Sequence, residues 1–189
     1  MSWSAAQYLR FEAERTRPVR DLLAAVPAEA VARAVDLGCG PGNSTEVLQA
    51  RWPAAEISGL DRDPDMIAAA RARLPGRRFD LGDLTEWDGG GGFDLLLSNA
   101  VLQWVGDHAA LLPRLLGQLA PGGSLALQMP DNMDEPAHAL MRRVAGEEAW
   151  GGKLARLGGK RATVWPAAWY YALLKPLCAR VDIWRTTYH

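Results

Sequence analysis

The chain has 189 residues, is 49% hydrophobic and carries a formal net charge of −1. This suits one domain with an ample core, and nothing global steers it toward nucleic acid or an anionic membrane. Two cysteines in no metal or redox spacing, an amino terminus without an apolar signal core, and no apolar run near the ~20 residues of a membrane span point to a cytoplasmic protein.

Residues 4–25 read as helical, with Pro18 dividing an amino-terminal arm from the helix that begins there. A strand over 33–37 is followed by a helix over 43–51, stopped by Trp52 and Pro53. A second strand covers 56–60. Asp63 then suits an N-cap and Pro64 the first position of a helix running to Leu74. A third strand covers 77–81, and the strongly apolar 93–99 is a fourth. His108 to Leu119 reads as a helix ended by Pro121, Gly122 and Gly123, with a fifth strand over 124–129. His108 and His138 read as ordinary surface or helix positions. Past Pro130 the pattern becomes a loop and helix to Trp150, a glycine-rich basic stretch over 151–162, an aromatic helix over 165–174 and a strand over 180–188. Strands alternating with helices predict an α/β fold, a doubly wound, mostly parallel sheet with helices on both faces. Three regions follow: 1–30 as an arm and helix, 31–130 as the core, and 131–189 as a small helical cap and a sixth strand.

The stretch AVDLGCGPGNST, residues 34–45, is the most informative. A strand breaks into glycines at 38, 40 and 42 and restarts as a helix, with Asn43, Ser44 and Thr45 as N-cap types. This is the architecture of a nucleotide-type cofactor site. The spacing G-x-G-x-G, with Asp36 two residues ahead, differs from the dinucleotide fingerprint. An acid there opposes a pyrophosphate and suits a cation. In an open parallel sheet, ligands bind beyond the carboxyl ends of the strands. Asp61 ends the second strand, placed for a ribose diol. Gly82, Asp83 and Leu84 follow the third, where an acid beside an N–H can hold an adenine amine. Ser98, Asn99 and Ala100 end the fourth.

These stretches, AVDLGCGPGNST, GLDRDPDM (59–66), GDL (82–84), FDLLLSNAVLQWV (93–105) and LAPGG (119–123), resemble the ordered motifs of class I S-adenosylmethionine-dependent methyltransferases. WSAAQYLRF (3–11), ERTRP (14–18), QMPDN (128–132), Tyr170 with Tyr171, and VDIW (181–184) resemble the trans-aconitate 2-methyltransferase family, extending the likeness over almost the whole chain.

The resemblance implies S-adenosyl-L-methionine as methyl donor, with S-adenosyl-L-homocysteine as product. Asp36, Gly38, Cys39, Gly40, Gly42, Asn43, Asp61, Arg62, Met66, Gly82, Asp83, Leu84, Asn99 and Ala100 would form its site. Asp36 acts at the ammonium end or by fixing the loop, and both readings stay open. Arg62 and Met66 flank the adenine. Cys39 reads as a small packed residue rather than a nucleophile. The implied reaction is methyl ester formation on a small polycarboxylate, trans-aconitate first. A carboxylate is already ionised near pH 7, so no acid–base residue and no metal is named. Arginine forks suit carboxylates. The acceptor candidates are Tyr8, Phe11, Arg15 and Arg17 on the arm, Gln103 and Trp104 past the fourth strand, and Trp150, Arg161, Tyr170 and Tyr171 in the cap. A monomer or homodimer is expected, without nucleic acid or membrane. The family's sheet usually has seven strands, and here the chain ends where the sixth would, so the seventh strand and part of the cap are expected to be missing. Open alternatives are another small-molecule acceptor, cofactor binding without turnover, and a nicotinamide-dependent dehydrogenase, against which Asp36 and the glycine spacing argue.

Overall fold

The structure, a computed structural model, describes residues 11–147, 150 and 164–188. Helix α1 (Glu12–Ala25) leads into β1 (Arg33–Leu37), α2 (Asn43–Arg51), β2 (Glu56–Asp61), α3 (Pro64–Arg73), β3 (Arg78–Leu81) and β4 (Phe93–Asn99). A short 3-10 turn (Leu102–Trp104) precedes α4 (His108–Leu116), β5 (Leu119–Gln128), α5 (Pro136–Ala145) and α6 (Ala167–Leu174). The described strands form one sheet in the order β3-β2-β1-β4-β5, and each pairing is parallel. The chain therefore winds outward from β1 to β3, returns to the other side of β1 as β4, and leaves a switch point between β1 and β4.

Alternation along the central strands sets the two faces. Leu95 and Leu97 of β4 and Ala34 of β1 pack with Val19, Leu22 and Leu23 of α1 and Leu48 of α2. Leu96 and Val35 face the other way, among Leu111, Leu112 and Leu115 of α4 and Tyr170 of α6. Ile67 and Ala70 of α3 meet Phe79 of β3 and Cys39 in a third cluster. Arg73 of α3 joins the helices of one face, pairing with Glu12 of α1 and, at 2.8 Å, with Glu46 of α2. That hydrogen bond from Arg73 holds the Glu12 carboxyl below its ordinary range. The start of α3 is as read from the sequence: the Asp63 side chain accepts from Asp65 N at 2.9 Å, and Pro64 opens the helix.

Three sequence expectations need correction. Helix α1 runs through Pro18 instead of starting there. An internal proline costs about 3 kcal/mol, but Val19, Leu22 and Leu23 are buried, and each such burial contributes about 1.5–3 kcal/mol. Helix α4 ends at Leu116, and Pro121, Gly122 and Gly123 lie inside β5. They form an irregularity in the β4–β5 pairing, which steps from Phe93↔Leu119 to Leu95↔Ser124, with Gly122 at φ +81. The same residues that can stop a helix can bend a strand. Residues 180–188 form no strand. Side chains tie that segment down instead: Arg185 pairs with Asp131 at 3.1 Å, and the Tyr188 hydroxyl donates to Asp21 of α1 at 2.6 Å.

Gly59 marks a tight point of the core. A Cβ there would sit 2.6 Å from the Phe79 ring and 2.9 Å from the Cys39 sulfur. Gly59→Ala is expected to cost about 1–3 kcal/mol, read as a lower denaturant midpoint in an unfolding titration.

Candidate active site at the switch point

The loop after β1 is built from β2 as much as from itself. The N–H groups of Gly38 and Cys39 donate to the Leu60 carbonyl at 2.7 and 2.9 Å. The Gly40 N–H donates to Asp61 Oδ2 at 2.9 Å. Gly38, Gly40 and Gly42 all have positive φ, a region that glycine enters without steric cost. A Cβ on Gly38 would collide with the Val101 side chain at 2.3 Å. A Cβ on Gly40 would meet nothing within 4 Å. The first glycine thus lets the loop close against the segment after β4, and the second leaves open space over its backbone.

Asp36 is completely buried. Its Oδ2 accepts from the Ser44 hydroxyl at 2.6 Å and the Thr45 hydroxyl at 2.7 Å, while Oδ1 has no partner. These hydroxyls therefore serve the strand and do not cap α2. The N-cap of α2 is Gly42, with no side-chain bond, and Asn43 is buried in the first turn. Burial pushes the Asp36 carboxyl up to about 6, against the two hydroxyl bonds, with the Asp61 charge adding to the rise. Burial likewise pushes the Cys39 thiol up, which leaves it a packed apolar group.

Asp61 stands at the end of β2. Its Oδ1 accepts from Asp63 N at 2.9 Å, so both carboxylate oxygens are oriented by main chain. Arg62 is exposed and Met66 buried. Gly82 N donates to the Asp61 carbonyl at 2.9 Å. Asp83 Oδ1 accepts from Thr85 N at 2.8 Å and from the Thr85 hydroxyl at 2.7 Å. These bonds, with a smaller contribution from the Arg62 charge, hold Asp83 below its ordinary range. Leu84 buries its side chain in the core. Across the crevice, Asn99 is buried with Oδ1 unpartnered, and Ala100 sits at φ +58. A non-glycine residue in that region is strained and held by its surroundings. The Ala100 N–H donates to the Gln128 carbonyl at 2.9 Å, and its own carbonyl accepts from Gln103 Nε2 at 2.6 Å. Gln103 is buried with Oε1 unpartnered.

The acceptor candidates divide. Tyr8 and Arg161 lie outside the described residues. Phe11 and Trp104 are exposed, and Arg15 is half-buried on α1. Arg17 lies over the Tyr188 ring, 4.6 Å from its centroid, committed to the carboxyl-terminal segment. Trp150 and Tyr171 are exposed. Tyr170 is buried, and its hydroxyl lies 2.7 Å from His108 Nδ1. This bond ties α6 to the start of α4. His108, read from sequence as an ordinary position, is 2% exposed and also bonds the Leu102 carbonyl through Nε2 at 2.9 Å. A carbonyl only accepts, so Nε2 carries a hydrogen. The signal was present: 108, 111, 112 and 115 fall on one helical face. Arg114, also missed, donates to the Leu84 and Thr85 carbonyls at 2.7 and 2.9 Å.

The buried orphans test what the crevice fits. Asp36 Oδ1, Asn99 Oδ1 and Gln103 Oε1 are all acceptors. Asp36 lies in β1, Asn99 ends β4 and Gln103 follows in the 3-10 turn, and a buried acceptor without a donor is costly. A ligand bringing an ammonium supplies N–H donors that suit such acceptors, with the Asp36 charge behind them. A pyrophosphate would answer none. A ribose suits Asp61, and the open space above Gly40 admits a ligand against the backbone. The residues present fit S-adenosylmethionine. Among the described residues, no cluster of three or more His, Cys, Asp or Glu could hold a metal ion, and no helix is long and apolar enough to cross a membrane.

Comparison with known proteins agrees. Residues 8–175 match a family model described as a methyltransferase domain. Among solved structures, a Haloferax volcanii methyltransferase in complex with the Trm112 activator shares the fold, with TM-score 0.70 at 22% identity over 91% of this chain and 71% of that one. The S-adenosylmethionine-bound amino pentose methyltransferase CalS10 of Micromonospora echinaspora is similar with TM-score 0.52 at 28% identity, over 69% of this chain and 59% of that one. Fold and crevice together define an S-adenosylmethionine-dependent methyltransferase. Two relatives are closer in sequence, the trans-aconitate 2-methyltransferases of Methylobacterium nodulans, 57% identical over 98% of this chain, and of Variovorax paradoxus, 51% identical over 100%. The chain belongs to the trans-aconitate 2-methyltransferase family, and it spans 72% and 73% of the length of those two relatives.

The elevated Asp36 acid gives a pH signature. Its protonated form stabilises the ligand-free fold below pH 4, and that contribution is lost as pH rises through about 6. Asp36→Asn removes the loss. Relative to the parent, the variant should gain about 3 kcal/mol of stability between pH 4 and pH 7, measured by urea titration at each pH.

Proposed function

We propose that this chain transfers the methyl group of S-adenosylmethionine to a carboxylate oxygen of trans-aconitate, forming a methyl ester. The observation that carries this reading is the 57% identity to a trans-aconitate 2-methyltransferase over 186 residues, a match that reaches beyond the cofactor core into the arm and cap. S-Adenosylmethionine supplies, when bound, an electrophilic methyl on a sulfonium. The residues of the chain hold and orient. Asp61 accepts from the ribose hydroxyls with the lone pairs its two main-chain bonds leave. Gly38 and Gly40 let the backbone pass close beneath the ligand. Asn99 and Gln103 offer their unpartnered oxygens to the ammonium, and Asp36 fixes the loop while adding negative charge behind it. Asp83 and the Leu84 N–H take the adenine edge, with Arg62 and Met66 flanking it.

The acceptor needs no base, because a carboxylate is ionised near neutral pH. Rate then comes from aligning the attacking oxygen with the methyl and from excluding water. Arg15, Trp104, Trp150 and Tyr171, with Tyr8 and Arg161, are the side chains proposed to select a polycarboxylate. Guanidinium forks match carboxylate geometry.

Incubation with methyl-labelled S-adenosylmethionine and a panel of small di- and tricarboxylates tests the acceptor. Label should pass to trans-aconitate in a form released as methanol by mild base. Transfer to another acid but not to trans-aconitate overturns the assignment. On the donor side, Asp61→Ala should weaken S-adenosylhomocysteine binding by about tenfold or more, measured by calorimetry.

A further inference from the structure

Arg114 reaches from the last turn of α4 to the loop after β3. Its guanidinium donates to three main-chain carbonyls of one short stretch, Leu84 at 2.7 Å, Thr85 at 2.9 Å, and Trp87. Among the described residues it makes no ion pair. The rigid, planar fork of arginine is pre-organised to hold several carbonyls at once, where a lysine offers a point charge on a flexible stem.

The opposite side of the same turn is held by Asp83. With the Leu84 and Thr85 carbonyls turned toward Arg114, the N–H groups of the following peptides point away. Thr85 N donates to Asp83 Oδ1 at 2.8 Å, and Glu86 N donates to the Asp83 carbonyl at 3.1 Å. Two groups remain without a hydrogen-bond partner among the described residues: the Leu84 N–H and Asp83 Oδ2. They are a donor beside an acceptor, the complement of an adenine edge, where N1 accepts and the 6-amino group donates. Hypoxanthine reverses both, with N1–H donating and a 6-oxo group accepting.

We propose that Arg114 is a positioning residue that sets base selectivity at the donor site: it clamps the 84–87 turn so that Leu84 N–H and Asp83 are presented together to an amino-purine edge. Arg114 does not touch the ligand. The proposal rests on the placement of adenine at Asp83 and Leu84 given above.

The test compares S-adenosylhomocysteine with S-inosylhomocysteine. Both are titrated by calorimetry into the parent chain, Arg114→Met, Arg114→Lys and Asp83→Ala, with ligand-free thermal melts beside them. The parent should prefer the adenine ligand. Arg114→Met should reduce that preference by about tenfold or more, and Arg114→Lys should reduce it by less, since an ammonium reaches fewer carbonyls. A merely structural tie would lower the melting temperature and leave the ratio of the two affinities unchanged. An unchanged ratio in the Arg114 variants, with Asp83→Ala losing the preference, overturns the role of Arg114 alone. If Asp83→Ala keeps both its affinity and its preference, the placement of adenine fails and the proposal with it. Should Arg114→Met not fold, Arg114→Lys decides by the same ratio.

Discussion

The site depends on one buried carboxylate. Asp36 sits inside the sheet, shielded from bulk solvent, and two hydroxyls from the first turn of α2 are its partners. Those two bonds fix where β1 stops and where α2 resumes, and therefore the arc of the glycine loop between them. A charged group at such depth is expensive unless well bonded. Here one oxygen is satisfied and the other is not, so the loop is held in shape while one acceptor stays in reserve. Asp61 repeats the device one strand over, with each oxygen taking one main-chain N–H. Two acids on adjacent strands thus shape the loop from both sides, by hydrogen bonds whose geometry does not depend on long flexible side chains.

The switch point explains why these groups meet. Because β4 returns beside β1, the segment after β4 closes over the glycine loop, and Val101 comes against Gly38. The strain at Ala100 belongs to the same crossing. Its carbonyl takes the Gln103 amide, which leaves the other end of that side chain, an acceptor, without a partner. On the far side, His108 and Tyr170 tie the lip of the crevice to α6. One rim is rigid main chain and the other is braced from beneath by α4.

Strands, helices and the glycine loop between β1 and α2 were legible in sequence because each rests on a local signal: apolar runs, a proline at a helix start, glycines after a strand. What failed to read was decided by partners distant in sequence. Pro18 should open a helix, but the apolar residues after it need the sheet, and the helix extends back to reach its place. Pro121 and its glycines carry a stop signal that β4 converts into a bend. Residues 180–188 have the composition of a strand but, among the described residues, they meet side chains of α1 and Asp131 and gain no ladder. His108 was legible and overlooked, since its helical spacing with Leu111, Leu112 and Leu115 places it on the buried face. Arg114 was not legible, because nothing in the sequence says that an arginine in a last helical turn will collect carbonyls from a loop about thirty residues earlier.

The strand order also governs how such a chain acquires its shape as it is made. The first three strands and the helices α1 to α3 leave the ribosome together and can cover one face of a half-sheet. The opposite face, where Val35 and Leu37 point, has no cover until α4 arrives, after β4 has been threaded in beside β1. Closing that gap requires bringing together segments some sixty residues apart, which is slow relative to local helix formation. The nascent half-sheet therefore carries an uncovered apolar side and an unpaired inner edge of β1 for the whole of that interval, the kind of surface that chaperones hold.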